Sequence, residues 1–475
     1  MFLLFLNVLV KPFWIFGVER SVQNIVGASE FGFYFSLLNF SLLLNIVLDF
    51  GITNYNNRNV AQNHNILSKH LSSIVALKFL LAIVYAIISI SVALIIGYDE
   101  RQMLILGILI FNQFLLSMIL YLRSNISGLQ FFKTDSVVSV LDRLIMIIIC
   151  AVLIWGNVTS KQMRIEWFVL AQTAAYLITA LIAFFIVLSK AGFFKLNFDI
   201  KFFRVFLKQS YPYALLILLM AFYNRIDSVM LERILPNGKE QAGIYAQAYR
   251  ILEAASMFGY LFAVLLLPMF AKMIKKKDSV EGLSQLSFSV IIVPAVVAIS
   301  ICVFYSHEIM DLMYLEHIDI SSRILSVIMI GFGGICTTYI FGTLLTANGS
   351  LKYLNIMAAC GMILNVMLNL ILIPRYQVMG AAFSSMITQI LTGLSQLLIS
   401  KKLFKFKTNY KLLISFLLFV AVTLFITLKS RIIGLDWYFS AFLAASVSLI
   451  VAFLSGIFKI KPIFKFFKEF TSEKS

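Results

Sequence analysis

Residues 211–231 read YPYALLILLMAFYNRIDSVML, and residues 243–270 read GIYAQAYRILEAASMFGYLFAVLLLPMF. Each is long and apolar enough to cross a bilayer as a helix. Charges sit well inside both: Arg225 and Asp227 in the first, Arg250 and Glu253 in the second. An Arg, Lys or Asp at the centre of a span costs about 2.5–3.5 kcal/mol on insertion scales, so such residues face a polar interior rather than lipid. Arg250 and Glu253 are three residues apart, which places them on one helix face and lets them pair. Arg225 and Asp227 are two apart and point in different directions.

The rest of the chain repeats this pattern of apolar stretches. It is 61% hydrophobic and 13% charged over 475 residues, where soluble domains run near 45–50% and 25%. No short alternating segments of the barrel type occur, so the fold class is an all-α polytopic membrane protein. Fourteen spans are predicted, with the first six over 1–18, 31–50, 71–97, 103–122, 137–155 and 166–189. The next six cover 211–231, 243–270, 283–304, 324–346, 353–373 and 378–399, and two more cover 412–428 and 438–458. An apolar start at residues 1–10 is interrupted by Lys11-Pro12 and lacks a small-residue cleavage site, so a cleaved signal peptide is not expected.

The formal net charge of +17 would suggest nucleic acid in a soluble chain. Here most Lys and Arg fall between spans and set topology instead. The gaps after the even-numbered spans and the C-terminal tail hold 24 of them, against 10 in the opposite gaps. By the positive-inside rule the richer side, with both termini, is cytoplasmic. The basic gap at 190–210 interleaves five cations with six Phe residues, a pattern suited to a helix lying on an anionic leaflet.

A repeat emerges across the two halves. Glu30-Phe31-Gly32-Phe33-Tyr34 opens the second span, and Gln241-Ala242-Gly243-Ile244-Tyr245 opens the eighth. Asn125-Ile126-Ser127-Gly128-Leu129 follows the fourth, and Ala347-Asn348-Gly349-Ser350-Leu351 follows the tenth. An offset of six spans preserves orientation, so this is a parallel repeat. It divides the chain into a first lobe at 1–189, a basic linker at 190–210, a second lobe at 211–400, and two further spans with a basic tail at 401–475.

Catalytic signatures are not found. The sequence has no Gly-x4-Gly-Lys-Ser/Thr loop, no Gly-x-Ser-x-Gly elbow and no His-Glu-x-x-His. His307 and His317 share an outer gap with Glu308, Asp311, Glu316 and Asp319, without tight ligand spacing, and read as a solvated acidic loop. Four cysteines at 150, 302, 336 and 360 lie apart in apolar segments and read as core residues. No enzyme activity, cofactor or metal is expected. Other polar features are Lys11, mid-span beside Pro12, and the segment Asp49 to Asn59, where Asn56, Asn57 and Arg58 carry groups suited to sugar hydroxyls and phosphate. Asp49, Lys78 and Arg143 lie near span ends, where snorkelling or capping is the simpler reading.

With these residues assembled, the chain resembles the polysaccharide exporters of the multidrug/oligosaccharidyl-lipid/polysaccharide (MOP) superfamily. The carriers are Gly32-Phe33-Tyr34 with Asp49-Phe50-Gly51, Arg123 to Lys133, and Val140-Leu141-Asp142-Arg143. Further carriers are Asn224-Arg225-Ile226-Asp227 and Gly243-Ile244-Tyr245 with Ala248-Tyr249-Arg250. The resemblance implies two six-helix lobes in a V around a central cavity, two C-terminal helices and alternating access without ATP. It implies a bacterial inner-membrane flippase for undecaprenyl-pyrophosphate-linked oligosaccharide, acting beside glycan polymerase and assembly proteins. Arg250, Arg225, Lys11, Arg58, Asn56 and Asn57 are then the candidate substrate contacts, and Asp227, Glu253 and Asp49 the candidate ion-coupling acids. A multidrug antiporter and a lipid II flippase share that fold. A membrane glycan polymerase or ligase would carry a large outer loop, and the outer gaps here are short.

The charge asymmetry sets a topology test. A reporter fused after Lys208 should read cytoplasmic and one fused near Lys239 should read external. The same side from both would refute the seventh span.

Overall fold

The computed structural model describes residues 10, 12–53, 56, 60, 66–156, 163–191, 200–407 and 409–457. Every regular element among them is helical, as a chain in hydrocarbon must be if each N–H and C=O is to find a partner within its own segment. Thirteen of these helices are long and apolar enough to cross a membrane. They are α1 (Trp14–Leu43), α2 (Ile66–Ile96), α3 (Glu100–Gly128), α4 (Phe132–Trp155), α5 (Ile165–Ala191), α6 (Ile200–Ile234), α7 (Gly238–Lys276) and α8 (Glu281–Phe304). After the short α9 (Ser306–Met313) come α10 (Ile318–Ala347), α11 (Leu351–Tyr376), α12 (Val378–Phe404), α13 (Tyr410–Ser430) and α14 (Trp437–Leu454). The protein is a multi-pass membrane protein.

The expected fourteen spans map onto thirteen helices because the first two spans fall within one helix, α1, kinked at Gly27. Its φ of 83° and ψ of 166° break α1 into two pieces. That backbone region is open to glycine almost alone. The first piece begins with a π-helical turn at Trp14–Glu19 and continues through Arg20. The first span was expected to stop at Val18, and the structure carries it on to the glycine. The Glu19-Arg20 pair marks a change in hydropathy, but neither residue breaks a helix, and Glu19 is itself buried. Most of residues 1–11 lie outside the described residues. The second span ends earlier than expected, at Leu43, and passes into a 3-10 turn at Asn45–Leu48. In the basic gap, residues 192–199 lie outside the described residues, while the helix of α6 is already formed from Ile200.

The chain packs as two compact units, residues 1–246 and 247–475. Within the first, α3 packs on α5 and α1 packs on α6. The α1–α7 contact is made by the two repeated motifs themselves. A Cβ placed on Gly32 would overlap the carbonyl of Lys239 and the backbone of Gly243, and one on Gly243 would overlap the carbonyl of Ala28. Gln23 closes this crossing by donating from Nε2 to the Gly243 carbonyl at 2.9 Å. Lipid tails are as apolar as Leu, so helices in a bilayer are held by such close backbone approach and by hydrogen bonds between them. In the second unit α10 and α12 pack on each other through small residues, with Gly334 and Gly393 in contact.

The second pair of repeated motifs also has a structural counterpart. After α3, Leu129, Gln130 and Phe131 donate to Asn125, Ser127 and Ile126, and Phe132 donates to Gln130. After α10, Asn348, Gly349 and Ser350 donate to Leu344, Thr346 and Leu345, and Leu351 donates to Gly349. The pattern is the same, with the left-handed residue at Gln130 in one turn and Gly349 in the other. This corrects the register read from sequence, which aligned Gly128 with Gly349. The turn geometry instead equates Gln130 with Gly349.

The glycine crossing yields a stability test. Gly32→Ala and Gly243→Ala should each destabilise the protein by about 1–3 kcal/mol through overpacking, and Val at either position should prevent a folded product. Thermal unfolding in detergent, followed by size-exclusion, reads this. Wild-type melting of the Val variants would mean that the helices do not cross there.

Candidate functional site

The charges inside the helices are gathered into a few local constellations. In α2, Lys78 is 1% exposed at its side chain and contacts Asp49 at 2.6 Å. Its Nζ also donates to the Leu48 carbonyl at 3.0 Å and to Ser117 Oγ at 2.8 Å. All three ammonium protons are therefore used. Asp49 receives two further bonds from Thr53. Lys78 thus does not snorkel: it is fully buried, and with Asp49 it fastens the irregular end of α1 to α2 and α3. Removing one partner of such a pair strands a charge and costs about 3–5 kcal/mol.

Asn56 is buried and gives its amide to Ser124 Oγ at 2.8 Å and Asn125 Oδ1 at 2.9 Å. Both amide protons are committed to the end of α3. Lys11, Asn57 and Arg58, also singled out from sequence, lie outside the described residues.

The motif Asn224-Arg225-Ile226-Asp227 on α6 does divide its two charges between neighbours. Arg225, half-buried, donates from Nη1 to Asn39 Oδ1 on α1 at 3.0 Å. Asn39 is oriented by its own donation to the Phe35 carbonyl. Asp227 is 1% exposed and accepts from the Tyr245 hydroxyl on α7 at 3.0 Å. Tyr245 belongs to the glycine motif that crosses α1, so the packing contact and the buried acid share one turn of helix.

In the second unit, Arg250 Nη1 lies 2.6 Å from Glu253 Oε2. The three-residue spacing brings the two together as expected. The Arg250 side chain is 8% exposed and that of Glu253 28%, so the acid has the more open position.

Two constellations were not anticipated. Arg143 on α4 sits over the Trp14 ring at 5.6 Å and donates to the Tyr176 hydroxyl at 3.3 Å. Gln172 donates to the same hydroxyl, Asp142 lies 3.9 Å away, and Trp14 is stacked on Phe168. The expected snorkelling of Arg143 is thus replaced by an aromatic and polar cradle. Such a cradle attracts a guanidinium through the ring face, and the carboxylates of Asp142 and Glu19 also act on its charge. Sequence offered no signal for it, since Trp14, Arg143 and Tyr176 are far apart along the chain. The other is a polar stripe in the second unit, with Asn365 and Asn369 on α11 and Thr388, Gln389, Thr392 and Gln396 on α12 all buried. Asn369 donates to Asn365 at 3.2 Å. Here a signal existed, because these residues recur every three or four positions in otherwise apolar spans.

Outside the helix centres, Arg101 binds Glu30 through two nitrogens and also reaches Glu166 at 2.7 Å, while lying over the Phe33 ring. It joins α1, α3 and α5, though exposed pairs of this kind stabilise by at most about 1 kcal/mol each. In the acidic segment between α8 and α10, His307 is 3.3 Å from Asp319, and Glu308 is bound by Arg431 at 2.7 Å. No group of three or more His, Cys, Asp or Glu suited to a metal ion occurs among the described residues.

These geometries can hold an anionic group against guanidinium and hold a proton or small cation at an acid. They present no nucleophile paired with a base.

No curated protein sequence matches the chain. Solved structures do. The lipid II flippase MurJ in an inward closed conformation aligns with a TM-score of 0.76 at 16% identity, covering 95% of this chain and 97% of that one. An inward-facing multidrug resistance MATE family transporter of the MOP superfamily aligns at 0.63 and 11% identity, covering 85% and 94%. A MOP superfamily transporter from Pyrococcus furiosus aligns at 0.57 and 13%, covering 85% and 92%. The fold is therefore that of the MurJ and MATE proteins. A model of the polysaccharide biosynthesis protein family matches residues 14–274, more than half of the sequence. The chain belongs to the polysaccharide biosynthesis protein family, on the MOP fold.

Proposed function

We propose that the protein is a flippase that moves an undecaprenyl-pyrophosphate-linked oligosaccharide from the cytoplasmic to the outer leaflet of a bacterial inner membrane, by alternating access of the repeat lobes 1–189 and 211–400. The observation that carries this reading is the set of guanidinium groups held inside apolar helices at Arg225, Arg250 and Arg143. A cation at such depth is costly, and one not spent on a structural joint such as that of Lys78 points to a site. In a family of polysaccharide biosynthesis the fitting anion is a lipid-borne pyrophosphate. A planar guanidinium binds phosphate oxygens two at a time, which an ammonium cannot do. The same cations would repel the small cationic substrates of a drug exporter.

No bond need be made or broken. The polar head cannot cross hydrocarbon unaided, but its lipid tail can stay in the bilayer while the head traverses a polar path. Moving about two negative charges outward across an inside-negative membrane releases roughly 4–5 kcal/mol per 100 mV. Asp227 and Glu253 are the acids we assign to any coupling ion. Asp49 is less suited, because Lys78 already neutralises it at 2.6 Å. Asn56 is likewise better explained as a structural joint. Lys11, Asn57 and Arg58 remain proposed contacts on sequence grounds. The displayed glycan would then pass to a polymerase and assembly proteins.

Two outcomes test this. A strain lacking the protein should accumulate lipid-linked oligosaccharide of normal composition on the cytoplasmic face. Unpolymerised units already displayed outside would point to a polymerase instead. For the site, Arg250→Ala should abolish export at normal protein level, and Arg250→Lys should restore only part. The paired change Arg250→Met with Glu253→Leu should match the Ala variant. If the paired change exports fully, the ion pair is structural and the pyrophosphate is bound elsewhere.

A further inference from the structure

A groove of about 340 Å³ opens in the second unit where α8 begins, α12 ends and α13 begins. Phe288, Phe341, Leu397 and Phe416 form its apolar lining. Phe288 on α8 and Phe416 on α13 meet edge to face, with ring centroids 5.2 Å apart. The rim is different. The chain leaves α12 through Lys405 in the left-handed conformation, with the Phe406 N–H donating to the Lys401 carbonyl. This turn returns Lys407 to the groove beside Lys401, and both line it. Their side chains are exposed. The N-terminus of α13 opens at the same place, capped by Asn409, and its partial positive charge adds to that of the lysines. One acid, Glu281, also lines the rim; Gln285 donates to it at 3.4 Å.

We propose that this groove is a binding site for an anionic phospholipid, with an acyl chain along the phenylalanines and the phosphate against Lys401 and Lys407. The proposal does not depend on the transport reading. Apolarity alone would select nothing, since the bilayer offers any chain an equally apolar place. What sets the groove apart is concentrated positive charge at the ends of spanning helices, where headgroups lie. Basic recesses between membrane helices take anionic headgroups for that reason. Selectivity must therefore follow headgroup charge rather than chain.

The test uses the full-length protein in neutral detergent, offered phosphatidylglycerol or phosphatidylcholine with identical chains and read by native mass spectrometry. Phosphatidylglycerol should be retained about tenfold more tightly. The double variant Lys401→Gln with Lys407→Gln should erase that preference. Lys407→Gln alone lies in a connector, so its fold is safe, and it should lose about threefold. Lys276→Gln with Lys277→Gln, another exposed basic pair, should leave retention unchanged. Equal retention of the two lipids, or an unchanged preference in both Lys407 variants, would overturn the site. So would an equal loss at the control pair. Retention of a polyprenyl phosphate in place of phosphatidylglycerol, at equal concentration, would assign the groove to the transported lipid and overturn the phospholipid reading.

Discussion

Hydrocarbon solvates neither a charge nor a bare peptide group, and every level of this structure answers to that fact. The backbone is satisfied by forming helices. The side chains are satisfied in three ways. Lys78 spends all its protons on Asp49, Ser117 and a carbonyl. Arg250 meets an acid on its own helix. Arg225 and Arg143 are met by an amide, a phenol and an aromatic face. Each of these cations is therefore engaged within the bundle, and the partners differ in kind.

The same constraint removes the usual driving force for packing. Helices in a bilayer gain nothing by hiding apolar surface from lipid, so contact is made where backbones can touch. Gly32 and Gly243 do this for α1 and α7, and Gly334 with Gly393 for α10 and α12. Directly beside the first crossing, Tyr245 holds Asp227. A change in how those helices pack would alter the setting of a buried acid, which links packing to the proposed ion site.

Much of the fold was legible because hydropathy and span length are properties of single helices. The Arg250–Glu253 pair was legible for the same reason: three residues on a helix fix a shared face. What sequence withheld are the partners across helices. Nothing in the order of residues says that Lys78 finds Asp49, or that Trp14 and Tyr176 enclose Arg143, because those meetings depend on helix rotation. The repeated Phe-Gly and Ala-Gly motifs were visible as likeness, while their direct contact was not. The first span was expected to end at Val18, whereas its helix runs on to Gly27. Glu19 is a buried charge within a continuing helix, and the break belongs to Gly27.

The spacing of these partners along the chain also bears on biogenesis. Arg250 has its acid three residues away and can enter the membrane already neutralised. Lys78 has its acid 29 residues behind it, made before the lysine itself. Alone it would resist insertion by about 2.5–3.5 kcal/mol, so the end of α1 and the whole of α2 gain by leaving the translocon together as a hairpin. The bond from Arg225 to Asn39, 186 residues earlier, can close only after several intervening helices have been released. Some contacts thus form during synthesis, and this distant one forms when the bundle closes.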